Sequence, residues 1–180
     1  MTIVVRRDLF PDDEQTAEAY KLYVELFTPI NELAAQRHLM TWREFRSVMS
    51  DGRIMKYLAY ADDAMPYKLV GMSVMTNDLD AWPLISPPYF RRHFPELYEA
   101  RQIWYVGFVG AARPHVFSRL VAEMYPATTA GIVCMDFCSL RQQEGLHDIT
   151  AKMLTRLAGD VWQHRLDDQA TYAYRYDGSF

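Results

Sequence analysis

The sequence predicts an α/β (α+β) domain: a mixed, mostly antiparallel sheet with a central parallel pair and helices on both faces. Three observations predict it. Two strand-like runs, Ile54 to Ala61 and Leu69 to Thr76, flank the turn residues Asp62-Asp63-Ala64-Met65-Pro66, which is the pattern of a β-hairpin. A strand, a helix and a strand follow in order from Gln102 to Cys138, the pattern of a parallel pair joined by a crossover. The length, 180 residues with half of them hydrophobic, suits a single domain over 1–180 with a sizeable core and argues against wholesale disorder.

The remaining elements take their places around that frame. Ile3-Val4-Val5 is a β-branched run and reads as the first strand. Ala17, Tyr20, Val24 and Phe27 recur at helical spacing, so a helix is expected to about Phe27, broken at Pro29. Ile30, Leu33 and Ala34 would then continue on a second short helix. Thr41-Trp42-Arg43-Glu44 fits a capping box, in which hydroxyl and carboxylate satisfy exposed amides. It opens a helix with Trp42, Phe45, Val48 and Met49 on its apolar face, ended by Asp51-Gly52.

Asn77 to Ala100 holds Pro83, Pro87, Pro88 and Pro95 among many aromatics. A structureless loop of that length is uncommon unless it has a function, so a lid or pocket wall is expected. Gln102 to Gly110 is the most apolar strand and should lie inside the sheet. Pro114 suits the first turn of a helix whose buried stripe is Phe117, Leu120, Val121 and Met124. Gly131 to Cys138 is another apolar strand. Leu146, Ile149, Met153 and Leu157 mark a last helix, ended by Gly159, and alternating Tyr172, Tyr174 and Tyr176 close with a strand.

Composition narrows the function. With 19 basic and 23 acidic side chains the formal net charge is −4, which disfavours a nucleic-acid partner. Only eight glycines occur, and neither G-x-x-x-x-G-K nor G-x-G-x-x-G is present. Cys134 and Cys138 make neither a disulfide framework nor a structural zinc site, and no metal is expected. The first residues lack the long apolar core of a signal peptide, and the longest apolar stretch, Ile103 to Ala112, is too short to span a bilayer. A cytoplasmic protein with no membrane partner is the expectation.

Candidate chemistry concentrates in the second half. Ile132, Cys134, Asp136 and Cys138 share one strand face. Asp136 is expected to be buried near the strand's end. It is either a general base with a raised pKa or a structural acceptor of backbone amides. Cys138 is either a nucleophile or a small apolar packing residue. His147, beside Asp148, either exchanges protons near neutral pH or caps a helix. Gly107 and Gly110 mark a bulge, a close backbone approach or simple small-residue packing. Arg91-Arg92-His93 is a basic cluster suited to a phosphate, a carrier-protein face or plain solvent.

The element order over nearly the whole chain resembles the GNAT N-acyltransferase superfamily. The long segment before the central strand looks more like the branch of N-acyl amino acid and acyl-homoserine-lactone synthases. The resemblance implies an N-acyltransferase that moves an acyl group from a thioester, acyl-CoA or an acyl-carrier protein, to a small amine. It implies that Val106, Gly107, Phe108 and Val109 pair with the pantetheine arm. It also implies that Gly110, Ala111, Ala112 and Arg113 hold the pyrophosphate at a helix N-terminus. Here the family's loop, Q/R-x-x-G-x-G/A, reads Val109-Gly110-Ala111-Ala112-Arg113-Pro114-His115. It keeps Gly110 and Arg113, lacks a second glycine, and loses one amide donor at Pro114. The other reading is a catalytically silent or cofactor-free domain of this fold that binds a small apolar or aromatic ligand or a partner protein. The oligomeric state is left open.

Overall fold

The computed structural model describes residues 2–33, 37–62, 67–137 and 140–167, with no side chains described for 140–144. Its elements are β1 (Ile3–Asp8), α1 (Asp13–Leu33), α2 (Trp42–Ser50), β2 (Met55–Ala61), β3 (Lys68–Thr76), a 3-10 turn (Leu79–Ala81), α3 (Pro87–His93), α4 (Pro95–Glu99), β4 (Ile103–Ala111), α5 (Pro114–Thr128), β5 (Ile132–Met135) and α6 (Leu140–Ala158). The strands lie in one sheet in the order β1-β2-β3-β4-β5. The first four pair antiparallel, and β4 pairs parallel with β5, as the hairpin and crossover patterns predict.

Helices cover both faces. On one, Tyr23 of α1 and Phe45 of α2 pack with Leu58, Met72, Ile103 and Phe108. On the other, Val116, Leu120 and Met124 of α5 pack with Met55, Tyr57, Met75 and Val106. The capping box forms as expected: Thr41 Oγ1 accepts from the Glu44 amide while the Glu44 carboxylate accepts from the Thr41 amide.

Two expectations are corrected. Pro29 does not end the first helix, which runs unbroken to Leu33. Pro29 lacks the amide that would bond back one turn. Packing on the preceding turn outweighs that loss: the Tyr23 and Phe27 rings lie 4.7 Å apart and both contact Phe108. The Tyr23 hydroxyl also donates to the His38 carbonyl at 3.0 Å and accepts from the Met40 amide at 3.1 Å, tying the helix to the chain beyond it. The 77–100 segment is not a bare loop either. Its prolines open α3 and α4, where the missing amide costs no hydrogen bond. The expected strand at Thr171 to Tyr176 lies outside the described residues.

Candidate active site

The two edges of β4 behave differently. Toward β5 the ladder runs from Ile103↔Ile132 to Val106↔Met135 and stops. Toward β3 it continues to Gly71↔Ala111. From Gly107 onward, no described strand pairs with the β5-facing edge. β5 therefore ends at Met135 while β4 runs on to Ala111, which leaves the β5-facing edge of β4 open at its C-terminal end, where a parallel sheet presents a place for ligands.

A bulge sits where that ladder ends. Val74 opposes Phe108 and Met75 opposes Val106, so Gly107 is the extra residue. The bulge turns Gly107 and Phe108 to the same face. Phe108 fills it with its ring, 5.1 Å from Tyr23 and 5.6 Å from Phe27. The Trp82 ring lies directly on Gly107, in the space a Cβ would need. Glycine is required there by close approach, one of the readings its position in the strand allowed. Gly110 is also a packing position, since a Cβ there would meet Phe27 Cε2 at 2.7 Å.

Asp136 lies one residue past β5 and is exposed, which corrects the expectation of a buried carboxylate. The strand ends at Met135, so the period-two argument carries Asp136 out of the sheet. It is nevertheless fixed from below. Tyr105, 5% exposed, donates its hydroxyl to Asp136 Oδ2 at 2.6 Å. Burial, reinforced by the neighbouring carboxylate, raises the Tyr105 pKa, so the phenol remains a donor at physiological pH. The same two causes push the Cys134 thiol up to about 11, which leaves it an inert packing residue. Cys138 lies outside the described residues. His147 is exposed on α6, with its ring edge-on to Phe137 at 5.6 Å and its Nδ1 3.4 Å from Asp148. Phe137 adjoins Asp136 in sequence, so the fold brings His147 to the same end of β5.

The loop after β4 offers fewer amides than its length suggests. The Ala112 amide donates to the Val70 carbonyl at 3.0 Å, extending the β3 ladder. By the alternation of an antiparallel pair, the Ala111 amide points to the opposite, open edge. Arg113 caps α5 with an extended backbone, and Pro114 opens the helix without an amide. The Val116 and Phe117 amides both turn back to the Arg113 carbonyl, at 3.0 and 3.3 Å. The amides of Ala111, Arg113 and His115 and the exposed Arg113 side chain are thus the donors left for an anion. Arg91 of the basic cluster is engaged elsewhere, lying 4.8 Å from the Tyr98 ring and donating to its hydroxyl.

No protein-family model and no curated protein matches the chain. Solved structures do. An aminoglycoside acetyltransferase from an uncultured soil metagenomic sample, in complex with trehalose, aligns with a TM-score of 0.55 at 9% identity, covering 95% of this chain and 97% of that one. The same enzyme in complex with sisomicin gives 0.54 at 9% identity over the same shares. AAC(6')-Iy with a CoA bisubstrate analogue gives 0.49 at 10% identity, over 97% and 99%. The fold is that of the GNAT acetyltransferases.

Within this GNAT fold, two residues of the candidate site escaped the sequence reading. In the sequence Tyr105 is one more residue of a largely apolar strand, and Trp82 one aromatic among several. Neither position carries a local motif. The signal for Trp82 was indirect: a glycine inside the most apolar strand implies that something large takes its place. The sequence does point to Asp136, His147 and Gly107, and the fold gathers them where β5 ends beside β4. Among the described residues no group of three His, Cys, Asp or Glu side chains is placed to hold a metal ion. No described helix is long and apolar enough to cross a membrane.

Proposed function

We propose that the protein is an N-acyltransferase that moves an acyl group from a thioester to a small amine. The observation that carries this reading is the half-open edge of β4 with a carboxylate fixed at its mouth. The open edge offers unpaired amides to the thioester carbonyl, and a bulge at Gly107 re-aims the backbone beside it. Asp136 faces solvent at the same end of the sheet, held by Tyr105 at 2.6 Å. An amine arrives mostly as its ammonium ion, and an ionised carboxylate attracts it and takes its proton.

The chemistry is then a simple exchange. The nitrogen lone pair attacks the carbonyl carbon, a carbon–nitrogen bond forms, and the carbon–sulfur bond breaks. The thiolate leaves with the electron pair and is protonated from solvent. Asp136 hands the ammonium proton on to solvent, and the second proton, shed by the nitrogen after attack, passes to Asp136 or, through water, to His147. Arg113 and the amides of Ala111 and His115 would hold the pyrophosphate of an acyl-CoA, whereas a carrier-protein thioester would not require them.

Calorimetry with CoA and acetyl-CoA, together with thiol release in the presence of a panel of small amines, tests the reading. The likeness to an acetyltransferase bound to sisomicin makes aminoglycosides the first amines to try. Acyl transfer with any thioester supports it. Absence of thioester binding and of thiol release at millimolar acyl-CoA and acyl-pantetheine would overturn it in favour of a non-catalytic binding domain.

A further inference from the structure

We infer that Trp82 sets the acyl-chain length the protein accepts, an inference that rests on the acyltransferase reading. The thioester carbonyl needs a free amide on β4, and free amides begin where the β5 ladder ends, beyond Val106. The bulge residue Gly107 stands at that place. It has no side chain of its own, so whatever covers it forms the wall that an acyl chain meets. Trp82 covers it and is only 4% exposed. Its ring also stands 5.9 Å from Tyr105, whose hydroxyl reaches Asp136. An acyl chain starting at the bulge must leave the amine's approach to Asp136 clear. The remaining direction is along the α1 face, and Trp82 stands in it.

The wall is rigid as well as large. Trp82 closes the 3-10 turn, its amide donating to the Leu79 carbonyl at 3.3 Å and its carbonyl accepting from the Ile85 amide at 3.4 Å. Leu79 and Ala81 of the turn are themselves buried. The indole itself is buried against Gly107 and Tyr105, so it cannot swing aside without giving up that packing. An acetyl group ends before the wall, and longer chains collide with it. Removing the wall would let each further methylene be buried, a gain of about fourfold in affinity apiece.

The test is calorimetry of wild type, Trp82→Phe and Trp82→Leu with acetyl, butyryl, hexanoyl and octanoyl thioesters of both CoA and pantetheine. Free CoA and pantetheine serve as chain-less references. Trp82→Phe keeps an aromatic ring over Gly107 and guards against a result that reflects unfolding. In the wild type, affinity should fall beyond the shortest chains. In the variants it should rise with length, more in Trp82→Leu than in Trp82→Phe, with the chain-less references unchanged. An unchanged length profile in both folded variants would overturn the role of Trp82 and leave the acyltransferase reading intact. Failure of the wild type to bind any thioester or reference would overturn both.

Discussion

The two edges of β4 share one backbone and have opposite duties. The β3-facing edge is paired from Thr76↔Tyr105 to Gly71↔Ala111, interrupted only by the bulge, and even Ala112 beyond the strand adds a bond to it. The β5-facing edge is paired for four residues and then released. A free strand edge is a liability in most proteins, because its unpaired groups invite aggregation. Within β4 the free edge is limited to the stretch after Val106, at the end of the sheet where the exposed Asp136 and Arg113 also lie. The comparison teaches that the closed edge supplies the stability that lets the other edge stay open. Changes at the open edge should therefore alter chemistry and leave melting temperature nearly unmoved, and changes on the closed side should do the reverse.

The largest expected effect is at Asp136. Asp136→Asn keeps the shape and an acceptor oxygen for Tyr105 but removes the proton acceptor. General-base groups contribute roughly 10²–10⁴-fold, so kcat should fall by that order in a thiol-release assay. Because Asp136 is exposed, thermal stability should change little. A loss of stability without a loss of kcat would place Asp136 on the structural side of the comparison. Next is Arg113→Ala. A charge-assisted, often bidentate contact to phosphate is worth roughly 1.5–3 kcal/mol, a tenfold to hundredfold loss of acyl-CoA affinity. The same variant should bind acyl-pantetheine normally. Equal losses for both donors would mean that Arg113 shapes the loop and does not meet a phosphate.

How much of this was legible follows from the range of each interaction. The hairpin, the parallel crossover and the Thr41–Glu44 capping box rest on neighbours in sequence, and each was readable. The continuity of α1 through Pro29 was not, because what overrides the proline is Phe108, some 80 residues away in the chain. The exposure of Asp136 was misread for a related reason. Alternation tells which face a residue takes while the strand lasts, and the β4–β5 pairing ends at Met135. Gly107 was legible as an anomaly, yet its cause, Trp82, lies in a segment whose helices depend on docking. The loop after β4 was legible in its residues only; the loss of the Ala112 amide to Val70 needed the β3 register.

The third prediction probes the closed side, two strands away from the bulge. Lys56 of β2 is fully buried, its Nζ donating to the carbonyls of Leu9 at 2.8 Å and Asp51 at 2.6 Å. Burial pulls its pKa down to about 8, against the attraction of Asp51 and Asp8. The ordinary value is 10.5. Between those two values the unfolded chain keeps a proton that the folded chain has released, so the contribution of Lys56 makes stability rise with pH. From pH 7.5 to 9.5 the gain is roughly 2 kcal/mol, taking about 1.4 kcal/mol per pKa unit. Urea denaturation at the two pH values should show it as a difference between wild type and Lys56→Met, with acyl-CoA affinity unaffected. A pH slope identical in the two proteins would mean that Lys56 titrates normally.

The smallest effect is expected at Arg101, where the chain turns into the paired end of β4. Its φ is 52°, the left-handed region that costs a side-chain-bearing residue about 1–2 kcal/mol. The turn is held by its surroundings: the Asn77 side-chain amide donates to the Arg101 carbonyl at 3.0 Å, and the Gln102 amide bonds the Leu97 carbonyl at 2.8 Å. Its guanidinium lies 3.9 Å from Asp78 and is 70% exposed, a pair of the kind that contributes little. Arg101→Gly removes the backbone strain and adds freedom to the unfolded chain, which takes back about 0.4–1 kcal/mol. With the small loss of the Asp78 pair, the net is a stabilisation of at most about 1 kcal/mol, or up to about 4 °C in melting temperature for a domain of this size. Chain-length preference and acyl-CoA affinity should not move, because the β4–β5 ladder separates Arg101 from the open stretch of β4. A fall in melting temperature would show that the Asp78 contact outweighs the strain.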